Sequence, residues 1–384
     1  MHRRTFMTEA ALAAVGCSLL PAACSRREEP PPSASRSDDL IASIEALVAK
    51  TMSEAVVPGV SVALIRDAQV AWARGFGLRD ASSGAPVDAT TVFEAASMSK
   101  AVFAYAVMKL HERRTLDLDT PLTKYTPERY LEGDSRLDSI TARHVLSHTS
   151  GFPNWRTRAE PLKIHFTPGE RFMYSGEGYS YLQSVVSGLT GRVDTGVCGR
   201  FENDVKFCAT DIADYMKANL FTPMGMASSR YFWDDGFAAV AARPHDAKGQ
   251  RLANSRPEGP AIARYAAAGG LLTTPTDYAK FLVEMLTPRD GDPFRLTPQS
   301  VKDMTRPHVK VPDAKFPCAW GLGWRLFETD HGHLVTHDGG QRGFRTFGGI
   351  SPAKRSGIVV MTNGENGEAV LEKLLASDVL ANLL

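Results

Sequence analysis

The chain of 384 residues is 43% hydrophobic and 23% charged, which supplies apolar residues for one large core or two linked ones. Lys+Arg 44 against Asp+Glu 43 leaves a formal net charge of +1, and no long basic stripe interleaves with aromatics, which argues against a nucleic-acid partner. No stretch after residue 24 approaches the 18 or so consecutive apolar residues that a membrane-spanning helix needs.

The N-terminus reads as a targeting segment, residues 1–24. "MHRRTF" is a twin-arginine pattern, followed by the short, mildly apolar run "ALAAVGCSLL". "LPAAC" has two readings: small residues Ala22 and Ala23 suit a signal peptidase, while Cys24 after them suits a lipoprotein acceptor, although Pro21 fits the latter poorly. Both make the protein exported and periplasmic, the second with a lipid anchor at Cys24. Residues 25–39, "SRREEPPPSASRSDD", are a proline-, serine- and charge-rich tether with nothing to bury, so the folded part is expected from Leu40.

"DLIASIEALVAKTMSE" has the apolar spacing of an amphipathic helix, and "VPGVSVALIRDAQVAWARGFGLRD" reads as a β-hairpin turning at "RDAQ". From Ser97 to about residue 262 the pattern is helical. "TARHVLSHTSG" is a short helix closed by Gly151, "GYSYLQSVVSGLTG" one closed by Gly191, and "DIADYMKANLFTPMGM" one stopped at Pro223. Cys198 and Cys208 flank a short polar loop whose ends a disulfide can join, a gain on the order of 3 kcal/mol in the chain-entropy model; Cys318 is left as a buried thiol. Neither CxxC nor spaced histidines accompany these cysteines, so no metal site and no cofactor are expected. From Gly269 come the helix "PTDYAKFLVEML", glycine-separated strand-like runs to about residue 365, and a terminal amphipathic helix. The fold class that follows is α+β: an antiparallel sheet flanked by helices, from residues 40–100 and 265–384, with a mainly helical domain, 101–264, inserted between them.

Ser97 and Lys100 in "EAASMSK" lie where a β-rich stretch hands over to a helix. About one S-x-x-K is expected by chance in a chain this long, so the pair alone signifies little. A serine hydroxyl needs a neighbour to take its proton, and a lysine can do so when burial or nearby charge keeps it partly neutral. "FMYSGEGYSYL" offers Tyr174, not distinguished by composition from Tyr179 or Tyr181. "THDGGQRGF" is a His-x-Gly strand whose small residues let backbone approach a ligand. His148 reads as a structural residue bonding nearby backbone, His331 and His333 as part of a turn, and Trp320 and Trp324 as sheet packing, with one a candidate to line the pocket.

In order and spacing, "VPGVSVALI", "FEAASMSK", "ARHVLSHTSGFP", "PGERFMYSGEGYSYL", "PMGM", "AAGGLLTTPTDYAKF", "GLGW" and "HDGG" resemble the serine β-lactamase and penicillin-binding-protein superfamily, in the branch of class C β-lactamases, DD-carboxypeptidases, D-aminopeptidases and β-lactamase-like esterases. The resemblance implies Ser97 as the acylated nucleophile, Lys100 as its partner and Tyr174 as the residue exchanging a proton with serine and leaving group. It also implies His337 and Gly339 as the ends of the Lys/His-Thr-Gly box, with an oxyanion hole from the N–H groups of Ser97 and Gly340. The sequence departs from that pattern twice: the family's Tyr-x-Asn is Tyr174-Ser175-Gly176, and His337 stands where class C β-lactamases have lysine. Arg342 or Arg345 is a candidate, from spacing, for the missing positive charge. The expectation is an exported serine hydrolase of β-lactam, D-amino-acid peptide or ester substrates through an acyl-enzyme on Ser97, inclined by Gly176 towards peptidase or esterase. The alternative is a non-catalytic or acylation-only binder of peptidoglycan-like peptides.

Overall fold

The computed structural model describes residues 34–126, 129–157, 160–191, 210–232, 235–253, 266–312, 314, 316–330, 332–377 and 383–384. The leader and the Cys198–Cys208 pair lie outside them, as does His331. The chain divides into Met1–Ile41 and Ala42–Leu384; sheet and candidate site belong to the second unit. Helix α1, Ala34–Ala55, starts ahead of the expected boundary at Leu40. The amphipathic segment beyond Leu40 already meets the nucleation cost of a helix, so extra turns of short polar residues are inexpensive; the tether therefore stops short of Ala34.

Strands β1 (Gly59–Arg66) and β2 (Gln69–Asp80) form the expected hairpin. Its turn residues Asp67 and Ala68 have φ of 50° and 55°, and the Ala68 N–H donates to Arg355 O at 2.8 Å, which holds a non-glycine left-handed turn in place. Next come β3 (Ala85–Pro86), β4 (Phe93–Glu94), a 3-10 turn Ala96–Met98, α2 (Ser99–Glu112), α3 (Ala142–Leu146), α4 (Gly176–Thr190), α5 (Thr210–Met216) and α6 (Asp235–Val240). A π turn at Ala266–Gly270 leads into β5 (Leu272–Thr273), α7 (Pro275–Leu286) and α8 (Pro298–Met304). The chain continues through β6 (Val309–Lys310), β7 (Cys318–Trp320), β8 (Arg325–Thr329), β9 (Gly332–Gln341), β10 (Phe344–Ser351), β11 (Ser356–Thr362) and α9 (Gly367–Leu375). Helix α3 ends at Leu146 with Ser147 as its cap, and a left-handed His148 at φ 57° follows ahead of the Gly151 expected to close it, itself at φ 82°. His333 lies on β9, not in a turn, and Cys318 is half-buried on β7.

Nine strands form one sheet in the order β3-β2-β1-β11-β10-β9-β8-β7-β6, with each neighbouring pair antiparallel. The first hairpin and the last strands are thus zipped together through β1 and β11, whose Val60, Val62, Leu64, Ile358 and Val360 are buried. Helix α7 packs on β1, β2, β10 and β11. Gly348 of β10 faces it: a Cβ there would come within 2.7 Å of Tyr278 and 3.0 Å of Met98. Helix α9 packs on the opposite side of β10, where Gly367 lies against the Arg345 Cβ. Helix α2 is buried along nearly its whole length, which fixes the turn at its start against the edge of β9.

Candidate active site

Ala96 precedes Ser97 with φ 47°, a conformation that a Cβ disfavours. Its strain is held by neighbours from far along the chain. Ser99 Oγ donates to Ala96 O at 2.6 Å and accepts the Leu271 N–H at 2.9 Å; Thr346 Oγ1 donates to Ala95 O at 3.1 Å. The turn presents a half-buried Ser97 at a helix start, where backbone N–H groups have no partner within the helix.

Lys100 follows one turn on, fully buried. Its Nζ donates to Ser97 Oγ at 3.1 Å and to Ala268 O at 2.6 Å. Ala268 sits in the π turn, which Gln183 of α4 anchors by accepting the Ala267 N–H at 2.8 Å. Burial lowers the Lys100 ammonium from 10.5 to about 7, against a smaller upward pull from Asp338. Near neutral pH this lysine can therefore shed its proton and present a neutral amine to the serine. Sequence reasoning missed Ala268 and Gln183. The run "AAAGG" was the available signal, but a backbone carbonyl carries no residue signature.

Tyr174 is the tyrosine that the structure brings to the serine: its ring centroid lies 4.8 Å from Lys100 Nζ, and its phenol is near enough to Ser97 for that side chain to act on it. Burial pushes the phenol well above its ordinary value, so it remains protonated. Tyr179 is also near Lys100, at 5.6 Å, but its buried hydroxyl has no hydrogen-bond partner; Tyr181 stacks on Tyr130 instead. Tyr174 is seated by His148 at 4.2 Å and Trp320 at 5.7 Å between ring centroids. His148 does bond backbone, as expected: its Nδ1 accepts the Ser175 N–H at 3.0 Å. Burial and the nearby Lys100 charge keep His148 neutral. Trp320 is the indole beside the site, while Trp324 stacks on Phe281 in the core.

Strand β9 reaches the serine through a glycine. A Cβ on Gly339 would lie 2.4 Å from both Ala95 O and Thr346 Oγ1, so only glycine permits this approach. His337, two residues back, shares that face and packs edge-on to Trp320 at 5.5 Å. Burial lowers it to about 4, which leaves a neutral imidazole. Gln341 and Phe344 close the β9–β10 hairpin, so the N–H groups at 341, 339 and 337 serve β10. The N–H groups of Gly340 and Asp338 point to the other edge, and β8 pairs with β9 only as far as Thr336. Gly340 N–H is thereby aimed outward next to the serine turn, and Gly340 is exposed.

The structure does not bring Arg345 to the serine. Alternation along β10 turns Thr346 towards Ala95 and Arg345 to the α9 side, where its Nη1 donates to Gln341 O and Phe344 O, both at 2.7 Å. Face parity depends on register, which spacing alone did not reveal.

At Gly176 an indole occupies the side-chain space. A Cβ there would meet Trp155 ring atoms at 2.5 and 2.7 Å and Asn154 O at 2.9 Å. The Trp155 ring centroid lies 5.9 Å from Lys100 Nζ.

A family model described as Beta-lactamase matches residues 44–382. Protein flp of Staphylococcus aureus (strain MRSA252) is 24% identical over 340 residues, 83% of this chain and 62% of that protein, so the chain spans about six tenths of the length of such relatives. Esterase EstB of Burkholderia gladioli is 34% identical over 119 residues, 30% of each protein. The solved structure of a class C beta-lactamase superimposes with a TM-score of 0.71 at 18% identity, covering 91% of this chain and 98% of the other, a likeness that shows the fold.

Proposed function

The chain belongs to the beta-lactamase family, and from that premise we propose that it is an exported serine hydrolase that turns over carboxylic esters through an acyl-enzyme on Ser97. The observation that carries this reading is the buried Lys100 amine 3.1 Å from Ser97 Oγ, lowered to about 7. A neutral amine at that distance can take the serine proton as Oγ attacks an ester carbonyl. Tyr174, held protonated by burial, is not a base in the resting enzyme; as a phenol beside Ser97 and Lys100 it passes a proton to the departing alkoxide and is resupplied from Lys100. The developing oxyanion falls between the N–H groups of Ser97 and Gly340, a pair whose members are each worth about 3–4 kcal/mol to the transition state. Water then attacks the acyl carbonyl as Lys100 takes its proton, the Ser97 Oγ–acyl bond breaks to release the acid, and Lys100 returns the proton to Oγ.

Esters are favoured over carboxylate-bearing β-lactams by what faces the site. His337 is neutral, Arg345 lies on the other side of the sheet, and Arg325, whose charge is felt at Tyr174 and His337, is committed to Asp338 at 2.9 Å, so none of the three offers an unpaired positive charge to a substrate carboxylate. The local likeness to a protein named as an esterase agrees with this preference. Export rests on the twin-arginine leader and tether. Intact-protein mass spectrometry with a fluorophosphonate, a penicillin and a cephalosporin tests the reading. Fluorophosphonate labelling of wild type and not of Ser97→Ala supports it. A penicillin adduct that persists points to a peptidase, rapid lactam consumption points to a β-lactamase, and no adduct with any reagent leaves a binder of peptidoglycan-like peptides.

A further inference from the structure

We propose that Trp155 is the specificity-determining residue of the acyl pocket, selecting esters with an unsubstituted alkyl or aryl acyl chain over those whose acyl chain carries an amide. The inference rests on the acyl-enzyme reading of Ser97. Trp155 is 39% exposed, and ring atoms of its indole cover Gly176. Its centroid is 5.9 Å from the Nζ that contacts Ser97 Oγ, within reach of an acyl chain a few atoms long. Gly176 stands two residues after Tyr174 and offers substrate no side chain. Its N–H is occupied by Asn154 Oδ1 at 3.0 Å, and the Glu177 N–H by Asn154 O at 2.9 Å. This side of the pocket therefore meets an acyl chain with an indole face and with the backbone N–H groups of Gly176 and Glu177 already bonded, and an amide desolvated against the ring loses hydrogen bonds to water.

The indole is held in place. Ser175 Oγ donates to Pro153 O at 2.9 Å. Arg156, the next residue, donates from its N–H to Glu177 Oε2 at 3.2 Å and from Nε to Glu177 Oε1 at 2.8 Å. Glu177 is buried and also accepts from Tyr130 Oη at 2.5 Å. The strip 153–156 is thus fastened to the same first turn of α4 that follows Tyr174, and catalytic phenol and pocket wall share one mounting. Glu177 and Arg156 are positioning residues for Trp155.

The test compares kcat/KM for p-nitrophenyl pentanoate and for p-nitrophenyl N-acetylglycinate, acyl chains of equal length, in wild type, Trp155→Ala, Trp155→Phe, Gly176→Ala and the Trp155→Ala/Gly176→Ala double variant. Wild type is expected to prefer pentanoate about tenfold or more, and Trp155→Ala to lose most of that preference. Trp155→Phe should retain it to within about threefold, since an aromatic wall remains. Gly176→Ala, whose new methyl displaces the indole, should lose it too, but leave the substrate ratio unmoved in the Trp155→Ala background, where the methyl meets Asn154 O at 2.9 Å and no ring. Should Trp155→Ala fail to fold, Trp155→Leu against Trp155→Phe carries the same comparison. A wild-type ratio near one, or a ratio unmoved by removing the indole while fluorophosphonate still labels Ser97, overturns the role of Trp155 alone. Failure of wild type to label overturns the acyl-enzyme reading and this inference with it.

Discussion

Replacing Lys100 by methionine should remove activity and, below neutral pH, make the protein more stable. Burial moves this lysine from 10.5 to about 7, which at 1.36 kcal/mol per pH unit places about 5 kcal/mol of unfavourable protonation in the folded state when the amine is charged. The sign follows from proton counts. Between pH 7 and 10.5 the unfolded chain holds a proton on Lys100 that the folded chain lacks, so wild-type stability rises with pH across that window. Below pH 7 both states are protonated and the full cost is present. Methionine carries no such cost and nearly fills the space, but it leaves Ala268 O without the Nζ donor at 2.6 Å, a loss of about 1–3 kcal/mol. The expected balance is a gain of about 2 kcal/mol or more at pH 6 that shrinks to near zero at pH 9, a change of about 2 to 3 kcal/mol. Urea unfolding of both proteins at the two pH values measures it, with equal m-values as the check that the unfolded states match. A difference that is the same at both pH values, or a destabilised variant at pH 6, would refute the assignment of a buried, strongly depressed lysine. Ester turnover should fall about 10²–10⁴-fold with the loss of the proton acceptor.

Further outcomes are expected. The kcat/KM for a neutral ester should rise through about pH 7 and then level, because Lys100 must be unprotonated; a flat profile from pH 5 to 9 would assign the base elsewhere. With His337 titrating near 4, no second limb from that imidazole should appear in this range. Gly339→Ala should cost about 1–3 kcal/mol of stability, read by thermal unfolding, and most of the activity, because its methyl would lie 2.4 Å from Ala95 O. Arg345→Ala should leave KM unchanged within about twofold for neutral and carboxylate-bearing esters alike, since the guanidinium binds strand carbonyls away from the serine; a selective rise for the carboxylate ester would return it to the pocket.

The parts legible in the sequence were those encoded by local chemistry. Ser97 and Lys100 sit one helical turn apart, Gly339 marks a close backbone approach, and the β1–β2 turn has little alternative to "RDAQ". Tyr174 could be told from Tyr179 only by which hydroxyl reaches Ser97, a fact of packing and not of composition. Arg345 was misplaced because a strand's two faces alternate and one residue of register decides between them. Gly176 read as a missing amide; its meaning lay in Trp155, which sits 21 positions earlier and is brought over it by the Glu177–Arg156 clamp. Backbone participants such as Ala268 O leave no trace in residue identity.

The cross-straps around the nucleophile turn also bear on when the enzyme becomes active. Ser97 emerges early in synthesis, but Ala268, which receives its lysine, comes 168 positions after Lys100, and Thr346, which fastens Ala95, comes 251 positions after that residue. Until those segments have been made and docked, the left-handed kink at Ala96 has nothing to hold it and Lys100 is a solvated ammonium beside an ordinary serine. A nascent or unfolded chain is therefore chemically silent towards acylating reagents. Covalent labelling of Ser97 doubles as a clock for completed folding, reporting the moment at which the π turn and β10 dock on the nucleophile turn.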